Sequence, residues 1–346
     1  MRAAVLFGPD DLRVEDVPDP VPAAGEVAID IAHNGLCGSD LKMISGGLRA
    51  TTEPHPLTGH AGPQILGHEF AGIVAAVGED VAGVAVGDRV CVQPDYHCGV
   101  CAPCRQGWTH LCEIITFHGV ISAGGGLSER TTLPANMVHH LPDELTLEQG
   151  AMVEPMAVSH HAIERAGAEP GDVAAIIGGG PIGIGVALGL RARGVDDLVV
   201  AQRSEPRRAV LADLGFEAVR PEDLAAALAR HTTRGGADIA FDCAGGPDTF
   251  GLMLGAVRVR GRAVVVAGSR QHDLTMTAHY IMHTEAEITG SVVFDRSDVE
   301  AVMMEMVAGG YPAEGWVEHV PLEQVVEEGI RPLQSRAKAK VLVDIA

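Results

Sequence analysis

Between residues 170 and 270 the chain alternates short apolar runs with stretches of helical periodicity. An apolar run at 173–177 leads through a glycine turn into a helical stretch at 182–193. Leu198–Ala201 then reads as a strand, 205–214 as a helix, and 239–241 and 263–267 as further strands. Apolar strands separated by helices predict a parallel sheet covered on both faces. The first 150 or so residues differ, with short β segments at 26–32, 72–77 and Arg89–Val92 broken by Gly and Pro. After about residue 290 the pattern is mixed again, and 338–345 reads as a closing strand. The pattern therefore predicts an α/β protein. A β-rich domain at 1–152 and 293–346 is interrupted by a doubly wound parallel-sheet domain at 153–292.

Composition narrows the function more than the fold. The 346 residues carry a formal charge of −21, and aromatics make up 3%, so neither a basic stripe nor a base-stacking surface is offered to nucleic acid. No apolar stretch reaches the ~18–20 residues that span a bilayer, and the N-terminal apolar run is too short for a signal peptide. Membrane and nucleic-acid partners are therefore not expected, and the cytoplasm is. Four of the seven cysteines fall between positions 98 and 112. Without an export signal, such clustering reads as metal ligation rather than disulfides.

That cluster runs Cys98-Gly-Val-Cys101-Ala-Pro-Cys104, with Cys112 eight residues on. Four thiolates on short loops suit a closed, tetrahedral structural zinc. An iron–sulfur cluster is the rival for the same spacing. His97 stands beside a set of four that is already complete, and is expected to be exposed.

A second constellation consists of Gly35-Leu-Cys37-Gly-Ser39-Asp40, Gly67-His68-Glu69-Phe70 and Glu154-Pro155. Cys, His and carboxylate are the ligand types of a catalytic zinc that keeps a position for water or substrate. Together with the four-Cys lobe and the glycine turn, these motifs resemble the zinc-containing medium-chain dehydrogenases/reductases, over essentially the whole chain. The likeness is to their polyol branch, the (R,R)-butanediol, sorbitol and threonine dehydrogenases. Glu53-Pro-His-Pro-Leu-Thr58 and Ile65-Leu-Gly-His-Glu-Phe70 carry the likeness to the butanediol enzymes, as does the segment from Leu141 to Pro155.

The resemblance implies a GroES-like catalytic domain with a structural zinc lobe at 97–112, and a Rossmann cofactor domain. It implies Cys37, His68 and Glu69 or Glu154 around a catalytic zinc, the two glutamates being able to exchange. It also implies a homodimer or homotetramer acting on a small-molecule alcohol or ketone. Ser39 would receive the alcohol's proton, while Asp40 would hold the loop around Cys37. One position departs from the family: the relay histidine five residues after the cysteine is here Lys42. Lys42 either replaces that relay, reaches toward cofactor phosphate or ribose, or is a solvated surface lysine.

The run at 173–177 enters Gly178-Gly-Gly180-Pro181-Ile182-Gly183 and a helix, in the context that makes this fingerprint a dinucleotide site. Phosphates would lie at the helix N-terminus, on backbone amides and the helix dipole. An NAD enzyme should place Asp or Glu about 20 residues on, and that position holds Gln202. Arg203, Ser204, Arg207 and Arg208 follow, a guanidinium-rich run suited to a 2′-phosphate. NADP(H) is therefore expected over NAD(H), with two zinc ions per chain. By resemblance alone, the loops after 263–268 and at 290–294 would line the nicotinamide pocket.

The function expected is a zinc-dependent oxidoreductase interconverting a secondary alcohol, a vicinal diol or polyol, and its ketone. Its rivals are a zinc-independent enoyl or quinone reductase on the same scaffold, and a non-enzymatic NADP-binding protein stapled by zinc. Cys91 and Cys243 are expected to be buried core thiols. Most histidines, His33 and His118 among them, have no second ligand at useful spacing. Trp108 and Phe117 are expected to line a substrate pocket or fill core.

Overall fold

The strand Glu26–Gly35 organises one half of the molecule because its ten residues serve two partners along one edge. Residues 26–30 pair with Arg130–Pro134, and residues 33–35 pair with Lys340–Asp344. Its other edge pairs antiparallel with Glu69–Val77. The sheet continues through Arg89–Val92 to Val138–His140 on one side, and through Lys340–Asp344 to Val317–Pro321 on the other. Strand alternation puts Val27, Ile29 and Ile31 inward against Phe70, Val74, Val90 and Leu133. Burying each such side chain contributes roughly 1.5–3 kcal/mol. The computed structural model describes residues 1–46, 52–268 and 275–345.

The chain divides into two units. The first comprises Met1–Glu154, Asp295–Met303 and Val317–Ala346, and it holds this sheet. The second comprises Pro155–Phe294 and Met304–Trp316. It is built on a six-stranded sheet in the order Glu217–Val219, Leu198–Ala201, Ala174–Ile177, Ala237–Asp242, Val257–Val265, Glu287–Gly290, with every pair parallel. Numbered along the chain this is 3-2-1-4-5-6, the doubly wound dinucleotide-binding order, whose crevice opens where the order reverses. Ala174–Ile177 and Ala237–Asp242 flank that reversal and are buried at every residue.

Differences from the sequence expectation fall where the hydrophobic pattern is diluted. The strand expected at 263–267 is Val257–Val265, since Arg258, Arg260 and Arg262 mask its first half. Glu217–Val219 and Glu287–Gly290 are short and mostly half-exposed, and the periodicity did not mark them. The expected pocket loop after residue 268 falls at 269–274, outside the described residues. Among the described residues no helix is long and apolar enough to cross a membrane.

Candidate metal centres and nucleotide turn

Cys37 stands at the N-cap of the short helix Gly38–Ile44. Its backbone N–H donates to Asp40 Oδ2 at 2.8 Å, so Asp40 shapes the turn that presents the thiol. Gly35, two residues earlier, is opposite Glu69 in the sheet register. A Cβ at Gly35 would collide with Glu69 Oε2 and stand 2.9 Å from Lys340 Nζ, so only glycine lets these side chains cross the strand. His68 and Glu69 enter from the head of the neighbouring strand. Donor atoms of Cys37, His68 and Glu69 all lie within 4.8 Å of one another, a spacing a single ion can occupy.

The electrostatics fit a divalent cation. Burial pushes the Cys37 thiol up to about 12, with the charges of Glu69 and Asp40 adding to the effect. Burial also raises Asp40, and it raises Glu154 well above the usual carboxylate range, helped by the charge of Glu69. Against these four acidic groups stands Lys340, fully buried, which pairs with Glu69 Oε2 and donates to the Leu36 carbonyl at 3.0 Å. Asp40 Oδ1 and His68 Nδ1 face each other at 3.7 Å, both buried, and among the described residues neither has a hydrogen-bond partner. A metal on Nε2 would fix the proton on Nδ1 and draw this carboxylate–histidine pair together. Ser39 Oγ lies 3.2 Å from that Nε2.

Lys340 is the residue the sequence reading missed. A lysine opening an apolar strand looks like a solvated end, and only the register beside Gly35 and Glu69 shows its role. Lys42 is exposed on the Gly38–Ile44 helix, and among the described residues no hydrogen bond joins it to the cluster.

The four-Cys lobe closes on itself. Cys98 Sγ and Cys104 Sγ are 3.9 Å apart, as are Cys101 Sγ and Cys112 Sγ. A tetrahedron with ~2.3 Å metal–sulfur bonds has edges of ~3.8 Å. Amides of Val100 and Cys101 donate to Cys98 Sγ at 3.4 and 3.3 Å and lower that thiol to about 6. Burial pushes Cys104 up to about 12. His97 lies outside this set, 3.6 Å from Asp95.

Three expectations need correction. Cys243 follows the strand Ala237–Asp242 rather than lying in it, and is only half-buried, whereas Cys91 is a core thiol. Trp108 is 49% exposed and fills no core. His33, expected to be isolated, is joined by His319 and Asp344. Their neighbouring strands bring together residues more than 280 positions apart, which local spacing does not reveal.

In the second unit, Gly178 ends the first parallel strand and Gly180 caps the helix Pro181–Ala192, with Pro181 and Ile182 opening it. A Cβ at Gly183 would collide with the Gly178 carbonyl oxygen, so this glycine sets how closely helix meets strand. Gln202 stands past the end of Leu198–Ala201, accepting from the Ser204 amide at 3.0 Å. Its Nε2 lies 3.3 Å from where a Gly179 Cβ would stand. Arg207 Nη1 lies 3.8 Å from the corresponding point at Gly180, and Arg203 is exposed. Arg208 Nη1 donates to the carbonyls of Gln202 and Arg203 at 2.8 and 2.7 Å, bracing the turn from behind.

Comparison with known proteins identifies the family. Residues 23–143 match the alcohol dehydrogenase GroES-like domain, and residues 181–309 match the zinc-binding dehydrogenase family. The chain belongs to the zinc-containing medium-chain dehydrogenases/reductases of the alcohol dehydrogenase superfamily. It is similar to the (R,R)-butanediol dehydrogenases of Bacillus subtilis, 34% identical, and of Neisseria gonorrhoeae, 31% identical, each alignment covering 99% of both chains. The crystal structure of 2R,3R-butanediol dehydrogenase from Bacillus subtilis superposes with a TM-score of 0.92 at 33% identity, covering 100% of this chain and 99% of that one. The protein is an enzyme, an oxidoreductase that interconverts alcohol and ketone groups of small molecules.

Proposed function

We propose that the chain is a zinc-dependent dehydrogenase that interconverts a secondary alcohol, a vicinal diol or polyol, and its ketone, with NADP(H) preferred over NAD(H). The observation that carries this reading is the convergence of Cys37, His68 and Glu69 inside a buried, acid-rich pocket. Held by these three residues, zinc would acidify an alcohol or polarise a ketone as a Lewis acid. Glu69 rather than Glu154 fits as the resting carboxylate ligand, because its oxygen belongs to the convergent set. Lys340 on Oε2 would orient Glu69 while leaving the other oxygen for the ion. Glu154, whose buried carboxyl favours the protonated form, would stand beside Glu69 as a proton-holding group.

Ser39 Oγ, 3.2 Å from the His68 nitrogen that would bind the ion, would stand close enough to the ion's place to take the proton from the substrate hydroxyl. Lys42, exposed on the same helix, would be the outer end of that path to solvent. A Lys42→Ala variant with unchanged turnover and pH profile would remove it from the mechanism. Cys98, Cys101, Cys104 and Cys112 would hold a second, structural zinc with no open position.

The cofactor preference rests on Gln202. A neutral amide sits where a carboxylate would bind ribose hydroxyls and repel a 2′-phosphate. Arg203, Ser204 and Arg207 stand next to it. The vicinal-diol reading rests on the names of the butanediol-dehydrogenase relatives. Kinetics on a panel of vicinal diols, polyols and acetoin-like ketones with both cofactors test both parts. Activity confined to primary alcohols, or a clear NAD preference, would overturn the corresponding part.

A further inference from the structure

On the same face of the sheet as Lys340, four residues along the same strand, lies Asp344. It is directly opposite His33 in the register, and the parallel neighbour Val317–Pro321 brings His319 beside it. His33 Nδ1 lies 2.9 Å from Asp344 Oδ1, and His319 Nδ1 lies 2.8 Å from the same oxygen. The two rings stand nearly perpendicular, at 86°, with centroids 5.8 Å apart. Their nitrogens therefore converge on one point rather than stack. The three donors lie within 4.8 Å of one another, and all three side chains are between a quarter and two-fifths exposed.

The other nitrogen of His319 is also occupied. Its Nε2 faces Glu148 Oε1 at 3.3 Å. A neutral imidazole carries one N–H and can satisfy one of these carboxylates. With Glu148 accepting from Nε2, a neutral ring turns the Nδ1 lone pair toward Asp344, a contact that either a second ring proton or a metal cation satisfies. A carboxylate on the outer nitrogen is also how metal-binding histidines are held in the correct tautomer.

We propose that His33, His319 and Asp344 form a third metal site, for a divalent ion of the zinc class, with Glu148 orienting His319. Two imidazoles and one carboxylate favour zinc, nickel or copper over magnesium or calcium. Ligand edges of ~3.4 Å around bonds of ~2.1 Å require the side chains to open by ~0.5 Å, which their exposure allows. The ion would clasp three neighbouring strands at the end of the sheet that carries Lys340. It is separate from the Cys37 cluster and from the four-Cys lobe.

The test is zinc chloride titrated into the zinc-loaded enzyme, with bound metal counted after dialysis by elemental analysis and heats measured by calorimetry. The wild type should take up one equivalent beyond its resident zinc. His319→Ala and Asp344→Asn should each abolish that equivalent while retaining the resident zinc and the unfolding midpoint that the wild type shows before zinc is added. Glu148→Gln should weaken it roughly 10–100-fold, the usual effect of losing a carboxylate that orients a ligand. No extra equivalent at millimolar free zinc would overturn the proposal. So would an extra equivalent that persists unchanged in His319→Ala and Asp344→Asn, which would mark it as adventitious.

Discussion

Replacing Lys340 by methionine keeps an unbranched side chain of similar bulk and removes one buried positive charge. In the wild type that charge lies against Glu69, which is 2% exposed, and donates to the Leu36 carbonyl. Removing one partner of a buried ion pair costs about 3–5 kcal/mol, because the other charge is left uncompensated. The Leu36 carbonyl, left without its donor, contributes about 1–3 kcal/mol on its own. The two losses do not simply add. Urea unfolding of Lys340→Met at pH 7 should therefore show a loss of about 3–5 kcal/mol. Glu69→Gln in the same background should recover part of it, with a coupling of up to about 3 kcal/mol. A loss below about 1 kcal/mol, or strictly additive effects in the double variant, would refute the view of Lys340 as the counter-charge of this site.

Three further outcomes are expected. Cys104→Ser should lower the zinc content by one equivalent per chain and lower the unfolding midpoint, since a closed structural site links metal binding to folding; unchanged content would reject zinc in the lobe. Gln202→Asp should move the ratio of kcat/KM for NADP to that for NAD toward NAD by at least roughly tenfold, equivalent to about 1.4 kcal/mol, and an unmoved ratio would remove Gln202 from cofactor choice. His118 is pushed down to about 3 by burial and stays neutral in the folded protein, held between Tyr96 and Thr131. An unfolded imidazole takes up a proton below about 6.5, so stability falls as pH drops from there toward 3, by about 2 kcal/mol at pH 5. The loss between pH 7 and pH 5 should shrink by that amount in His118→Gln, and an identical loss would contradict the assignment.

The features legible in the sequence are those written locally. A parallel sheet buried on both faces produces the apolar runs at 173–177 and Leu198–Ala201. The Gly178–Gly183 turn and the cysteine spacing of the lobe each place their chemistry within a dozen or so residues. Lys340 was not legible, because a lysine heading Lys-Val-Leu-Val-Asp looks like a strand end in water. Its burial follows from pairing with a strand 300 positions away, and from Gly35 leaving room across it. A signal did exist: Cys37, Asp40, Glu69 and Glu154 form an excess of acid that a single divalent ion leaves under-neutralised. The cluster of His33, His319 and Asp344 was hidden for the same reason, since strand order rather than spacing brings it together. Arg208 is one of the candidate 2′-phosphate ligands in the sequence, and its Nη1 also donates to the carbonyls of Gln202 and Arg203, a contact the sequence does not reveal.

The central claim is that turnover depends on an ion held by Cys37, His68 and Glu69. It is tested most directly by following NADP-linked oxidation of a vicinal diol while zinc is withdrawn with a chelator and then restored, with metal content measured at each point. Activity should fall in proportion to loss of the more labile zinc and return when zinc is added back, while the lobe keeps its own. Full activity in protein stripped of that zinc would contradict the account.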